Sequence, residues 1–273
     1  MTKNNKVINS FGNEWNKFDQ SNLNFIELNK IFNDYFKIFP WNSVNKNSIG
    51  FDMGCGSGRW AKVVAPKVGK LNCIEPSSAI NVAKKNLKRF NNIKYLKLAI
   101  DKVKLKPNSQ DFGYCLGVLH HVEDTQENLN KCTSLLKKNA PFLVYLYYSF
   151  ENRNFIYFLV WKVSDILRKL ISKLPEILKF FFSDLFALIF YLPMAKISFF
   201  LDKCNFNVKN IPLSYYKNLS FYTMRTDSRD RFGTYLEKRY SKEQIKTMLK
   251  KAGLNRIKFS KSAPFWCAIG FKK

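Results

Sequence analysis

IGFDMGCGSG, residues 49–58, joins an apolar run to a loop in which three glycines alternate with other residues. The apolar run predicts a buried strand, and the residues after the loop predict the start of a helix. Glycines in such a loop permit positive φ angles and let the backbone approach a ligand closely. The free N–H groups and the dipole of the following helix favour an anionic group. The stretch therefore predicts a strand, a loop and a helix arranged around a bound ligand.

Three further details narrow the class of ligand. Arg59 stands where a dinucleotide-binding fold needs its third glycine, which counts against NAD. No Lys-Ser or Lys-Thr pair follows the loop, which excludes the phosphate loop of a nucleotide hydrolase. Glu75 ends the next predicted strand 21 residues after Gly54, where a carboxylate can accept hydrogen bonds from both hydroxyls of a ribose.

The segments around the loop alternate between strand and helix patterns. Apolar runs predict five strands, with helices between them, one of which starts at a capping box of Asp124 and Glu127. The predicted strands are 48–53, 71–74, 95–99, 112–116 and 142–147, and the predicted helices are 25–39, 59–68, 77–90 and 125–138. This rhythm predicts an α/β fold with a doubly wound, mostly parallel sheet.

A largely helical insertion interrupts the alternation between the fifth strand and the last helix. Residues 154–201 show amphipathic helix patterns, and residues 211–240 are loop-like. A capping box of Ser241 and Gln244 then starts a helix that ends at Gly253, and two more strands complete a seven-stranded sheet. The expected divisions are an N-terminal helical or lid segment at 1–46, a cofactor-binding core at 47–149, a substrate cap at 150–240, and the end of the core at 241–273, with strands at 256–259 and 266–271.

The motifs together resemble one enzyme family. Residues 52–58 look like the first motif of class I S-adenosylmethionine (SAM)-dependent methyltransferases, and Glu75 matches their ribose-binding acid. Residues 116–122, LGVLHHV, resemble the fourth-strand motif of the branch that includes quinone-biosynthesis methyltransferases. The resemblance implies methyl transfer from SAM, with S-adenosylhomocysteine as the second product. One departure is Lys-Asn-Ala at 138–140, where the family usually has Pro-Gly-Gly.

The resemblance also implies a set of cofactor-binding residues. Asp52 would orient the loop and bond near the methionine part, Ile100 would pack on the adenine, and Asp101 would accept a bond from its amino group. Trp15 belongs to an aromatic segment at 10–18 that resembles a lid over the cofactor, although plain packing on the core explains it equally well. The full set is Asp52, Gly54, Cys55, Gly56, Gly58, Glu75, Pro76, Ile100, Asp101, Leu116, Gly117 and Trp15.

Two groups of residues are candidates for the chemistry. His120 and His121 follow the fourth strand at the edge where open α/β sheets bind ligands, so one could be a general base, or both could fix the loop by hydrogen bonding. In the insertion, Tyr215 and Tyr216 could orient or deprotonate an acceptor, and Arg225 could hold a carboxylate or phosphate. The alternative for these three is an ion-pair lattice at the surface.

The net charge of +26 leaves two explanations open. It could serve an anionic partner, but the chain has 37 Lys and only 9 Arg spread along its length, as codon bias in an AT-rich genome produces. No Arg cluster or RNA-binding motif supports an RNA-binding protein or RNA methyltransferase, which stays an alternative. None of the six cysteines forms a CxxC pair, so no metal site is predicted. These cysteines and the polar residues 1–20 predict a cytoplasmic protein.

The most apolar stretch, 180–201, raises the question of a membrane. Asp184 and Lys196 interrupt it and Pro193 is expected to break it, so we predict no membrane-spanning helix. Residues 154–201 could still lie on a membrane surface, or pack on the core. The favoured function is methyl transfer to an O, C, N or S atom of a small-molecule acceptor bound between the core and residues 150–240. The main alternative is a membrane-lipid or quinone-type substrate.

Overall fold

A computed structural model describes residues 3–273, so the first two residues of the predicted N-terminal segment lie outside the described part. The chain forms two compact units. Among the described residues, the sheet unit contains 3–21, 28–149 and 236–273. The insertion unit contains 22–27 and 150–235. Residues 236–240, expected to belong to the cap, group with the sheet.

The sheet has seven strands in the order β3-β2-β1-β4-β5-β7-β6, which confirms the predicted fold class. The first five strands pair in parallel, while β7 runs antiparallel to both β5 and β6. The strands are β1 Ile49–Met53, β2 Lys70–Ile74, β3 Ile93–Leu96, β4 Phe112–Leu116, β5 Pro141–Tyr145, β6 Leu254–Phe259 and β7 Cys267–Lys272. The carboxyl ends of the five parallel strands, β1 to β5, meet at one edge, where open α/β sheets bind ligands.

The described residues form ten α-helices. They are α1 Lys3–Lys17, α2 Phe25–Phe36, α3 Ala61–Val64, α4 Ala79–Asn86, α5 Thr125–Ser134, α6 Phe155–Ile171, α7 Glu176–Phe186, α8 Leu192–Lys203, α9 Phe221–Gly233 and α10 Lys242–Lys251. Helices α6 to α9 belong to the insertion, and the other six lie before or between the strands in the chain. The capping box of Ser241 and Gln244 starts α10 as predicted. Asp124 caps α5 by accepting the N–H of Glu127. Both helices therefore begin where local side-chain signals placed them.

The sheet is buried by apolar residues on both faces. Phe51, Phe142 and Leu143 are fully buried, as expected for central parallel strands. Gly50 and Gly113 lie against the rings of Phe112 and Phe51, where an added Cβ would come within 2.3 and 2.2 Å of ring carbons. Glycines in these strands thus make room for phenylalanines in the core.

Two predictions for the insertion were wrong. Residues 221–233, expected to be a loop, form α9, which Ser220 caps through the N–H of Thr223. Its buried face includes Thr226, Ser228 and Arg229, so it shows little hydrophobic periodicity. Pro193 was expected to break the next apolar stretch, but it lies in the first turn of α8, directly after a π-turn at 187–191. The π-turn changes the hydrogen-bond pattern just before the proline, and α7 and α8 run on as one helix, Glu176–Lys203.

Smaller differences concern element ends in the sheet unit. The third strand ends at Leu96 rather than at 99, and the predicted helix 59–68 shrinks to α3 and a 3₁₀ turn at 65–67. Pro66 lies in that turn and cannot donate an amide hydrogen to a longer helix.

Candidate active site

The glycine loop leaves β1 with a backbone that favours glycine at three positions. Gly54, Gly56 and Gly58 have φ angles of 77°, 53° and 80°, in the left-handed region. An added Cβ at Gly54 would lie 2.4 Å from Val118, and one at Gly58 would lie 2.7 Å from Leu87. These two glycines are therefore also required by packing.

Trp15 of α1 lies over the middle glycine of the loop, Gly56. An added Cβ at Gly56 would lie 3.0 Å from Nε1 of Trp15, and the guanidinium carbon of Arg59 lies 5.3 Å from the centroid of the Trp15 ring. Helix α1 reaches the loop by packing on the start of α4, where Gly12 comes close to Ser78. This contact fits both a cofactor lid and plain packing, so the lid stays a prediction.

Glu75 ties the loop to the end of β2. Its Oε2 accepts the N–H of Gly56 at 3.1 Å, and its Oε1 accepts the N–H of Ser77 at 2.9 Å. Burial raises the pKa of this carboxyl, and the bonds from Ser77 and Gly56 act in the opposite direction. The carboxylate is thus fixed at the carboxyl edge of the sheet, where its unused lone pairs could accept ribose hydroxyls.

Asp52, at the end of β1, is buried beside this carboxylate. Burial raises its pKa to about 8, and the charge of Glu75 adds to the shift. The hydroxyl of Tyr114 and the charge of Arg59 lower the pKa, although the Tyr114 contact does not have the geometry of a hydrogen bond. Asp52 therefore keeps its proton near neutral pH until a cationic group binds nearby.

His120 is fully buried after β4 and stacks on Tyr147, with ring centroids 3.7 Å apart. Burial, together with the charges of His121 and Arg239, holds its pKa well below the usual value, so the ring is neutral. The N–H of Tyr147 donates to Nδ1 at 3.4 Å. The proton of the neutral ring therefore sits on Nε2, which can act as a hydrogen-bond donor.

His121 has the opposite arrangement. Its Nδ1 lies 2.7 Å from the carbonyl oxygen of Leu236, which can only accept, so Nδ1 carries the proton. In the neutral ring Nε2 is then the basic atom. The ring lies 4.1 Å from that of His120 and 5.0 Å from that of Phe11, measured between centroids.

Tyrosines that sequence reasoning missed line the same edge. The ring of Tyr145 lies 5.0 Å from Tyr35, 5.8 Å from Tyr147 and 6.1 Å from His120, measured between centroids. Gly117, at the end of β4, has a φ of 80°, and an added Cβ there would meet nothing within 4 Å. The space beside Gly117 is therefore open, at the sheet edge where Tyr145 ends β5. The alternation of Tyr145 and Tyr147 at a strand end was the available signal.

Residues 236–240 cover the histidines and were also missed. The N–H of Lys238 donates to the carbonyl of His120 at 2.9 Å. The guanidinium of Arg239 lies over the ring of Tyr147 and pairs with Glu237 at 2.9 Å. No sequence pattern links these residues to His120, because the two segments lie more than 100 positions apart.

The remaining predicted residues lie in different places. Ile100 is buried and Asp101 is exposed beside Lys102, both in a 3₁₀ turn after β3.

The candidates in the insertion bond to acidic side chains. The hydroxyl of Tyr216 donates to Asp227 at 2.9 Å, and Arg225 makes two bonds to Asp184 at 2.8 and 2.6 Å. Cys55, Pro76 and Leu116 lie in the sheet unit with the glycine loop, whereas Tyr215, Tyr216 and Arg225 belong to the insertion unit. Roles in binding and catalysis stay predictions for all of them.

Metal ligands do not cluster in the part of the chain that the structure describes: no three His, Cys, Asp or Glu side chains among residues 3–273 could hold a metal ion. Cys55, Cys73, Cys115, Cys132 and Cys267 are buried and Cys204 is exposed, all as free thiols.

Comparison with known proteins agrees with this geometry. Residues 51–144 match a family model described as "Methyltransferase domain". That range begins in β1 and ends in β5, so it contains the glycine loop, Glu75 and both histidines. No curated protein matches the sequence.

Solved structures share the fold at low sequence identity. A Bacillus halodurans protein provisionally named a methyltransferase has a TM-score of 0.52 and 13% identity, covering 83% of this chain and 72% of its own. A SAM-dependent methyltransferase of Thermotoga maritima has a TM-score of 0.50 and 14% identity, covering 96% and 100%. A Haloferax volcanii protein in complex with the methyltransferase activator Trm112 has a TM-score of 0.51 and 12% identity, covering 93% and 97%.

These findings support a SAM-dependent methyltransferase of class I with SAM as its cofactor. The described residues fit that cofactor, because a buried carboxyl, a fixed glutamate and an aromatic ring surround a glycine loop that opens at the sheet edge. Neither comparison identifies the acceptor or the quinone-biosynthesis branch.

Proposed function

We propose that the acceptor is a small molecule with an apolar or aromatic body, methylated on an atom that gives up a proton. The observation that carries this proposal is the bond between Nδ1 of His121 and the carbonyl of Leu236. It leaves Nε2 as the basic atom of the neutral ring. That atom is buried at the same sheet edge as Gly117, so an acceptor would have to reach it from the open space beside Gly117.

Each part of the site would then have a distinct task. The bound cofactor supplies a methyl group on a sulfonium. Glu75 and Asp52 hold the cofactor, as the family resemblance implies. Tyr35, Tyr145 and Tyr147 offer aromatic surface to the acceptor, and apolar surface with a few polar groups is typical of small-molecule sites. His121 takes the acceptor's proton, and Nε2–H of His120 orients the acceptor by donating a hydrogen bond.

The test uses purified protein, methyl-labelled SAM and a cell extract separated into small-molecule, lipid, RNA and protein fractions. We expect label in the small-molecule fraction with wild-type protein and none with Glu75→Ala. Label in the RNA or protein fraction would overturn the proposal. A protein that binds no S-adenosylhomocysteine would contradict methyl transfer itself.

A membrane lipid or quinone-type molecule is the second candidate acceptor. The insertion unit favours it, because large apolar side chains such as Phe155 and Ile177 are exposed there. Label in the lipid fraction, lost in Glu75→Ala, would select this candidate over a water-soluble acceptor. The cytoplasmic location expected from the sequence stays a prediction.

A further inference from the structure

Helix α6 exposes an apolar stripe. Phe155, Leu159, Val163, Ile166 and Leu170 follow one another at intervals of three or four residues, so they lie on one face of the helix. All five are more than half exposed. Stripes of this kind on soluble helices normally face a core, so an exposed one marks an interaction surface.

The helix formed by α7 and α8 shows the same feature. It spans Glu176–Lys203, and its length and composition alone would suffice to cross a membrane. Only 17% of its most apolar 18-residue window is buried. Ile177, Phe181, Leu188 and Phe200 are among its exposed side chains.

Buried arginines of the insertion unit pair with acidic residues of the same unit. Arg168 of α6 bonds to Asp165 at 2.8 Å and to the carbonyl of Thr234 at 3.1 Å. Arg229 of α9 is fully buried and pairs with Glu176 of α7 at 2.7 Å. The exposed apolar faces therefore lie opposite an interior in which the buried arginines have acidic partners.

The exposed charge around the apolar faces is basic. Residues 150–235 contain 13 Lys and Arg but seven Asp and Glu. The acidic side chains of Asp165, Glu176 and Asp184 are taken up by ion pairs, whereas Lys162 and Lys173 are exposed beside α6. Each exposed basic residue near an anionic bilayer adds about 1 kcal/mol of attraction.

We propose that α6 and the α7–α8 helix dock peripherally on a bilayer that carries anionic phospholipids. Apolar side chains would enter the interface between headgroups and acyl chains while lysines contact the phosphates, the pattern of interfacial helices. Spanning is disfavoured, because Asp184 and Glu176 tie α7 to α9 through Arg225 and Arg229. A spanning helix would have to bury or break these pairs.

Vesicle flotation of the full-length protein tests the proposal without any methyl acceptor. Vesicles of phosphatidylcholine alone are compared with vesicles that contain phosphatidylglycerol as well, at low and high salt. The variant Ile166→Glu/Ile177→Glu changes two side chains that are 59% and 82% exposed, so folding should tolerate it. The matched control, Asn42→Glu/Asn91→Glu, adds the same charge at exposed positions of the sheet unit.

We expect wild-type protein and the control to float with the anionic vesicles, and to do so less at high salt. The Ile166→Glu/Ile177→Glu variant should bind at least about tenfold more weakly, because two large apolar side chains no longer enter the interface. Equal binding of this variant and the control would overturn the proposal. So would a wild-type dimer in light scattering that floats with no vesicle and becomes a monomer in the variant, since the face would then bind a second copy.

Discussion

In the sheet unit Leu143 is fully buried and Arg89 is exposed, whereas in the insertion unit Leu170 is 61% exposed and Arg229 is fully buried. The contrast is general. Among the side chains that the structure describes, 19 large hydrophobic ones are exposed, of which 16 lie in 150–235 and two in 22–27. The sheet unit has an extended apolar core, whereas the insertion unit has a smaller one around Ile171, Tyr191 and Phe232 and buries the guanidinium of Arg229 beside it. The two units therefore suit different surroundings.

A pair of identical substitutions tests the contrast most strongly. Leu143→Ala should lower the free energy of unfolding by about 3–4 kcal/mol, because it opens a cavity between central strands. Leu170→Ala should change it by less than about 0.5 kcal/mol, since the side chain is mostly exposed. Urea unfolding followed by circular dichroism measures both. A large loss for Leu170→Ala would show that α6 is packed against something.

If His121 is the general base, the catalytic residues lie in the sheet unit. His121→Gln should lower the rate of methyl transfer by about 100-fold, because the variant cannot take the acceptor's proton. Binding of S-adenosylhomocysteine should stay unchanged. Tyr216→Phe, in the insertion unit, is the comparison: a larger rate loss there than at His121 would move the chemistry to the other unit.

Two arginine substitutions test the same contrast in the opposite sense, because here the buried residue lies in the insertion unit and the exposed one in the sheet unit. Arg229→Met should cost about 2 kcal/mol of stability, because the ion pair between the buried guanidinium and Glu176 is lost and Glu176 keeps only Lys179 as a cationic partner. Arg89→Met, on the exposed surface of the sheet unit, should cost less than about 0.5 kcal/mol. Similar melting temperatures for the two variants would contradict a charged interior in the insertion unit.

The smallest expected effect concerns pH. The carboxyl of Asp52, with its pKa raised to about 8, must lose its proton before it can accept a bond from the cationic ammonium group of the cofactor. Affinity for S-adenosylhomocysteine should therefore rise about tenfold between pH 6.5 and pH 8. Titration calorimetry in two buffers would detect the released proton. In Asp52→Asn the same affinity should be flat with pH, and a slope as steep as that of the wild type would assign the proton elsewhere.

Local signals account for what could be predicted from the sequence. The fourth strand begins and ends at the predicted residues, and Ser241 and Gln244 start α10, because strand patterns and caps depend on neighbours in the chain. The glycine loop and Glu75 were found for the same reason. Their spacing follows from one strand, one turn and one helix.

Contacts between distant segments could not be predicted. The carbonyl of Leu236 that fixes the tautomer of His121 lies 115 residues away in the chain. Hydrophobic periodicity showed that 154–201 is helical, but it cannot show whether the apolar face points inward or outward. For Arg225 the sequence left open an acceptor's carboxylate or phosphate and an ion pair, and the structure shows its pairing with Asp184. Such partners are known only from the folded structure, because they come from segments that are far apart in the sequence.

The most direct test of the central claim is calorimetric titration of S-adenosylhomocysteine into wild-type protein and into Glu75→Ala. If the glycine loop and Glu75 form a SAM site, the wild type binds one molecule and the variant binds at least about 100-fold more weakly, because two charge-assisted hydrogen bonds are lost. Circular dichroism confirms that the variant is folded. No binding by folded wild-type protein, or equal binding by both proteins, would contradict the account.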